Sequence, residues 1–151
     1  MRLLLTLIST LFLLLGAHAV RFQWPSGPEN GGYLGVPHGG CCTNAQNGTQ
    51  VYAAWRIEGE HIRMAGHGEL CLDAGWDAGY GTTLKIWKCF DNHAPQRFKY
   101  ENERIIHIPT GFCIDVQDGN RQNLQLWECF DGNTNQRWRA IWPPTQSAAS
   151  T

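Results

Sequence analysis

The chain has 151 residues, with 12 basic and 13 acidic side chains and a formal charge of −1. That balance excludes the strongly basic surface that nucleic acid or an anionic membrane would require. Removing the first 19 residues leaves 132, a length that suits one domain rather than two, and losing Arg2 with them makes the balance 11 against 13, or −2.

From the N-terminus, MRLLLTLISTLFLLLGAHAV carries a basic Arg2, an apolar run from Leu3 to Leu15 and Ala17-His18-Ala19 as a small-residue cleavage site. Residues 1–19 therefore read as a secretory signal peptide, and the protein is expected to be secreted and extracellular. The run is shorter than the roughly 18 residues that cross a bilayer, so no membrane insertion is expected. Residues 20–32, VRFQWPSGPENGG, read as an N-terminal arm or linker, and residues 143–151, PPTQSAAST, as a disordered tail.

The domain is expected over residues 33–142, where the sequence repeats itself. CLDAGWDAGYGTTLKIWKCFDNHAPQRF, Cys71 to Phe98, and CIDVQDGNRQNLQLWECFDGNTNQRW, Cys113 to Trp138, share Cys-x-Asp, a Trp, Cys-Phe-Asp and a closing Gln-Arg-aromatic. They differ by two residues in the Gly-rich segment after the Asp, where a turn tolerates a length change. A fainter copy begins at GVPHGGC, Gly35 to Cys41, matched to HIPTGFC before Cys113, and closes at Trp55. So aligned, it lacks about a dozen residues of the other copies. The closing aromatics Trp55, Phe98 and Trp138 are 43 and 40 residues apart. Large side chains recurring at such positions are expected in a core.

Within the copies, segments such as ERIIHI, NLQLWEC and QRWRAIW are short, rich in aromatic and branched residues, and separated by Gly, Asn and Asp clusters. Beyond the signal, no stretch of ten residues has a helical apolar period. The class is all-β: three pseudo-symmetric repeats, the first shortened and degenerate, closing on one core.

Cys-x-Asp, Gln-x-Trp-x-Cys and Asn-Gln-x-Trp, repeated at about forty residues behind a signal peptide, resemble the ricin B-type lectins, the Gln-x-Trp family of carbohydrate-binding β-trefoils. The resemblance implies a twelve-stranded β-trefoil with one sugar site available per repeat, binding galactose-type or related glycans without catalysis. A sugar presents vicinal hydroxyls and a C–H face. It is met by a carboxylate accepting two hydroxyls, by amides that donate and accept, and by a flat aromatic ring. In the third copy the resemblance assigns these parts to Asp115 as carboxylate, Gln125 and Asn135 as amides and Trp127 as platform, with Gln136 orienting Asp115. The second copy keeps Asp73, Trp87 and Gln96 but has Lys85 where the pattern has Gln and Pro95 where it has Asn. It is a candidate second sugar site, with Trp76 and Tyr80 as substitute stacking surfaces and Lys85 suited to a different or acidic sugar. The first copy has Thr43 or Asn44 at the acidic position and is not expected to bind.

All six cysteines follow residue 19, where an oxidising compartment favours disulfides. The repeat predicts the equivalent pairs Cys71–Cys89 and Cys113–Cys129. Cys41 and Cys42 have no repeat partners; a strained vicinal ring, free thiols and a cross-link making a homodimer stay open. His38-Gly-Gly-Cys41-Cys42 matches no zinc spacing, and neither metal nor cofactor is expected. Asn47-Gly48-Thr49 is a glycosylation sequon. No Gly-x-Ser-x-Gly, His-Glu-x-x-His or reactive-cysteine signature occurs, and the protein is read as a non-enzyme. Its expected partners are glycans or glycoconjugates. The competing reading is a secreted protein-binding trefoil, an inhibitor or effector using its loops.

Overall fold

A computed structural model describes residues 19–26, 32–36, 44–46, 54–119 and 123–143. The short aromatic-rich segments form strands, and the Gly, Asn and Asp clusters between them form turns. In chain order the strands are β1 (Ala19–Trp24), β2 (Gly32–Gly35), β3 (Asn44–Gln46), β4 (Trp55–Glu58), β5 (His61–Met64), β6 (His67–Asp73), β7 (Lys85–Lys88), β8 (Phe98–Glu101), β9 (Arg104–His107), β10 (Cys113–Val116), β11 (Leu124–Trp127) and β12 (Arg139–Ile141). Three 3-10 turns, Ala94–Gln96, Gln117–Gly119 and Thr134–Gln136, complete the regular structure among the described residues.

All strand pairing is antiparallel. Strands β1–β4, β4–β5, β8–β9 and β12–β1 pair around the core. Each successive group of four strands also contributes a hairpin from its middle two: β2–β3, β6–β7 and β10–β11. This is the β-trefoil arrangement.

The closing aromatics Trp55, Phe98 and Trp138 are completely buried in one apolar cluster that includes Leu34, Leu72 and Ile114 from the hairpins. Burial obliges an indole to find an acceptor. Trp55 Nε1 donates to the Leu34 carbonyl at 2.9 Å, and Trp138 Nε1 to the Ile114 carbonyl at 3.0 Å. Phe98 fills the corresponding place and has no donor to satisfy.

Two sequence expectations are corrected. The segment assigned to an arm contains β1, and Val20, Phe22 and Trp24 lie in the core with at most 1% exposure. Their alternation with Arg21 and Gln23 is that of a half-buried strand, which ends at Trp24 before the turn at Pro25 and Ser26. The domain therefore begins at β1 rather than at residue 33.

Nor is the first copy a dozen residues short. Leu34 and Ile114 accept from equivalent indoles, so Gly35, and not Thr43 or Asn44, occupies the place of Asp115. Asn44 lies opposite Gly35 as Gln125 lies opposite Asp115. From these positions to the closing aromatic run 20 residues in the first copy (35 to 55), 25 in the second (73 to 98) and 23 in the third (115 to 138).

Disulfides join Cys71 to Cys89 and Cys113 to Cys129, with Cα separations of 5.1 and 5.2 Å. Each ties the ends of a hairpin and stabilises by about 3 kcal/mol in the chain-entropy picture. Residues 1–18 of the expected signal peptide 1–19, Cys41, Cys42, the Asn47 sequon and the tail after Pro143 lie outside the described residues.

One core position is polar. His107 pairs with Phe98 as Met64 pairs with Trp55. It is 1% exposed, its ring 5.0 Å from that of Phe98. Nδ1 is 2.9 Å from Thr110 Oγ1, while Nε2 is buried without a hydrogen-bond partner. Burial pushes its pKa down, against the opposing pull of the Ala94 carbonyl and Asp73.

Two outcomes follow from this packing. Phe22→Ala should cost about 3–5 kcal/mol in urea unfolding, as for a core aromatic, whereas a residue in a dispensable arm would cost nothing. His107 takes up a proton less readily when folded than when unfolded, so the stability it confers is present above its ordinary pKa near 6.5 and is lost as pH falls through its lowered folded value. His107→Met, which installs the residue found at position 64, should flatten the acid limb of stability against pH measured by thermal unfolding.

Candidate functional site

The β10–β11 hairpin sets Asp115 opposite Gln125 and Cys113 opposite Trp127. Alternation along each strand gives one face to Asp115, Gln125 and Trp127, while Ile114, Val116, Leu124 and Leu126 are fully buried in the core. All three expected contact groups on this hairpin are thus held by the same register that packs the core.

Asp115 is 4% exposed. Gln125 Nε2 donates to its Oδ1 at 3.3 Å, and Asn133 Nδ2 to its Oδ2 at 3.2 Å. Burial pushes the carboxyl pKa up; hydrogen bonds from Gln125, Gln136 and Asn133 oppose that, and Asp118 adds to it. Both bonds are long, and a carboxylate has about four lone-pair sites, which leaves it able to accept other donors.

Gln136 is completely buried. Its Oε1 accepts from the Phe130 amide at 3.0 Å and its Nε2 donates to the Glu128 carbonyl at 2.7 Å, so it fixes the Cys-Phe-Asp loop while also acting on Asp115. Asn133 caps the Thr134–Gln136 turn, its Oδ1 accepting from the Asn135 amide at 3.0 Å. The Asn135 side chain lies against Gly119, where a Cβ would come within 3.1 Å of Asn135 Oδ1. Gly119 also has φ +62, a conformation that glycine adopts without strain. From the far end of the chain, Trp24 Nε1 donates to the Thr134 carbonyl at 2.9 Å, so β1 supports this turn.

Trp127 is half-buried, and what covers it is Tyr80. The two rings are 3.7 Å apart at 35°, with Phe112 edge-on to Tyr80. Tyr80 is carried there because residues 81–84 add to the outer edge of β11. Gly81 N donates to Leu126 O, Leu126 N to Thr82 O and Leu84 N to Leu124 O, at 2.8 to 3.0 Å. Tyr80 therefore serves the third copy, not the second, as sequence alone suggested.

In the second copy Asp73 sits opposite Lys85 and Cys71 opposite Trp87. Asp73 is held by short bonds, from the Gly75 amide to Oδ1 at 2.7 Å and from Gln96 Nε2 to Oδ2 at 2.9 Å. Gln96 repeats the clamp of Gln136, donating to Lys88 O and accepting from Phe90 N. His93 stands where the third copy has Asn133, its Nε2 3.6 Å from Asp73 Oδ2. Trp76 packs edge-on against His93. In the first copy Gly35 supplies no carboxylate.

The sequence reading missed Asn133, Asp118 and Tyr80 as neighbours of the site. Asn133 was visible as part of a turn, and its alignment with His93, another residue able to donate to the preceding Asp, was the available signal. The landing place of Tyr80 depends on tertiary packing alone.

The Ricin-type beta-trefoil lectin domain family matches residues 35–138. Among solved structures, a non-toxic homologue of type II RIPs from Momordica charantia (bitter gourd), in complex with alpha-methyl-D-galactoside, is 16% identical with a TM-score of 0.67. The alignment covers 83% of this chain and 48% of that one. The C-half of the earthworm R-type lectin in complex with GalNAc is 11% identical, TM-score 0.65, covering 83% and 99%. The designed 3-fold symmetric protein ThreeFoil is 13% identical, TM-score 0.64, covering 82% and 97%. At these identities the likeness is one of fold, and the chain spans about half the length of the bitter gourd protein. No curated protein sequence matches the chain.

Gly119→Ala should displace Asn135 and strain the turn, costing about 1 kcal/mol or more of stability. Thermal unfolding checks the cost, and a chemical-shift map of the variant should show its largest changes at Asn133, Asn135 and Asp115.

Proposed function

Because this chain belongs to the Ricin-type beta-trefoil lectin domain family, we propose that it is a secreted carbohydrate-binding protein whose competent site is in the third copy. The observation that carries this reading is a nearly buried Asp115 with weakly held oxygens, registered beside Gln125 and Trp127 on a disulfide-tied hairpin. On this reading Asp115 accepts two vicinal sugar hydroxyls, and Gln125 and Asn135 supply the complementary donors and acceptors. The open part of Trp127 meets the sugar's C–H face, while Gln136 and Asn133 keep the carboxylate oriented. Galactose-type glycans are the first choice, since the bitter gourd and earthworm structures hold alpha-methyl-D-galactoside and GalNAc. The role is recognition without catalysis, and residues 1–19 direct export.

One shallow site binds weakly, so avidity on a cell or mucin surface requires a second site or a second chain. The carboxylate form is the acceptor, and Asp115 holds its proton to higher pH than an ordinary aspartate. Affinity should therefore be full at neutral pH and decline on acidification sooner than an exposed aspartate would predict.

Calorimetric titration with methyl galactoside should show binding that Asp115→Asn weakens at least about tenfold. The isosteric amide keeps the fold and removes the charge. Equal affinity in this variant, or titration curves unchanged between neutral and mildly acidic pH, would overturn the assignment.

A further inference from the structure

Around the second hairpin the surface differs in kind from the third. Trp76, in the loop that follows β6, is 77% exposed, and Trp87, on the hairpin, 55%. Single exposed aromatics are ordinary; what sets this hairpin apart is the cation that lies over one of them. Trp87 takes the position of Trp127, and among the described residues no ring stacks on it as Tyr80 does on Trp127. The cation that accompanies it is Lys85, whose Nζ lies 5.1 Å from the Trp87 ring centre; Lys88 Nζ lies 6.0 Å from that of Phe90.

Lys85 faces Asp73 across the β6–β7 ladder yet makes no ion pair with it. The reason is that Asp73 is already engaged by the Gly75 amide and Gln96, with His93 nearby. Among the described residues neither Lys85 nor Lys88 has a carboxylate within ion-pair distance. Thus Asp73 is engaged inside the fold while Asp77 and Asp91 of this copy stay exposed, and the strand face that carries Trp87 holds one unpaired ammonium, Lys85, over its ring, with Lys88 on the opposite face. In the third copy the arrangement is reversed, with an amide at 125 and a loosely held carboxylate.

We infer that the second copy is a site for anionic saccharides, sugars bearing a carboxylate or a sulfate ester, with Lys85 receiving the anion and Trp87 the C–H face of the ring. An ammonium donates charge-assisted hydrogen bonds to either anion, and the indole beneath it keeps that charge at the platform. Pro95, whose side chain has no hydrogen-bonding group where the third copy has Asn135, removes a contact to a neutral sugar hydroxyl and none to the anion. The inference rests on the carbohydrate reading of the family but uses a different hairpin from the galactose-type site.

The test is calorimetry on the intact secreted chain with methyl β-glucuronide, methyl β-glucoside and 6-sulfated methyl galactoside, using wild type, Lys85→Gln, Trp87→Ala and Asp115→Asn. Wild type should prefer glucuronide or the sulfated sugar over the neutral glucoside by about tenfold. Lys85→Gln should erase that preference, Trp87→Ala should weaken the anionic sugar, and added salt should lower its affinity. Asp115→Asn should leave anionic binding intact while weakening methyl galactoside binding at least about tenfold, which separates this inference from the third-copy assignment. Whichever of the carboxylate or sulfate arms binds identifies the anion. No preference for either anion in wild type, or a preference surviving Lys85→Gln, overturns the proposal.

Discussion

Trp55, Phe98 and Trp138 can be kept from water only in a core that no single group of four strands can build. Each group ends in one such aromatic and contributes one hairpin residue, Leu34, Leu72 or Ile114, to the cluster around it. For the two tryptophans the constraint is tighter than burial, because an indole N–H without an acceptor would cost about 1–3 kcal/mol. The carbonyls of Leu34 and Ile114 meet that demand, and in doing so they fix where each hairpin sits on the barrel. Everything that happens on the outside of the hairpins is placed by this contact.

The site chemistry follows one residue later. The residue after the accepting carbonyl is Gly35 in the first copy and Asp115 in the third, and Asp73 follows Leu72 in the same way. A buried glutamine amide then joins the carboxylate to the loop that closes the copy. Gln96 does this with Asp73, Lys88 and Phe90, and Gln136 with the Glu128 and Phe130 backbone. Because both glutamines are completely buried, the amide is as much part of the core as of the site. Where the surroundings differ, the same frame yields different faces: loosely held carboxylate beneath a covered Trp127, or engaged carboxylate beneath a bare Trp87 with Lys85 over it.

Much of this was legible in the sequence because its signals are local. Cys-x-Asp, the Gln-x-Trp spacing and the closing Gln-Arg-aromatic recur at offsets that a hairpin of fixed register must preserve, and the disulfide pairs follow from the same repetition. The first copy was misread because Cys41 attracted the alignment, whereas backbone pairing and the Trp55 indole set the true register through Leu34. β1 was misread because Pro25 and the glycines after it dominate the composition of residues 20–32, although Val20, Phe22 and Trp24 alternate as a strand should. Tyr80 could not be placed at all: nothing in its own segment reveals that residues 81–84 would lie along β11.

The bond from Trp24 to the Thr134 carbonyl spans 110 residues, and β1 pairs with β12. During synthesis the first strand must therefore wait for the last, since the loop that orients Asp115 gains this support only once β12 has emerged. The third-copy hairpin is in that sense a report on completion: without β12 the pairing with β1 that backs its loop cannot form. Long-range closure of this kind slows folding, and it also couples the support of the Asp115 loop to possession of a whole barrel.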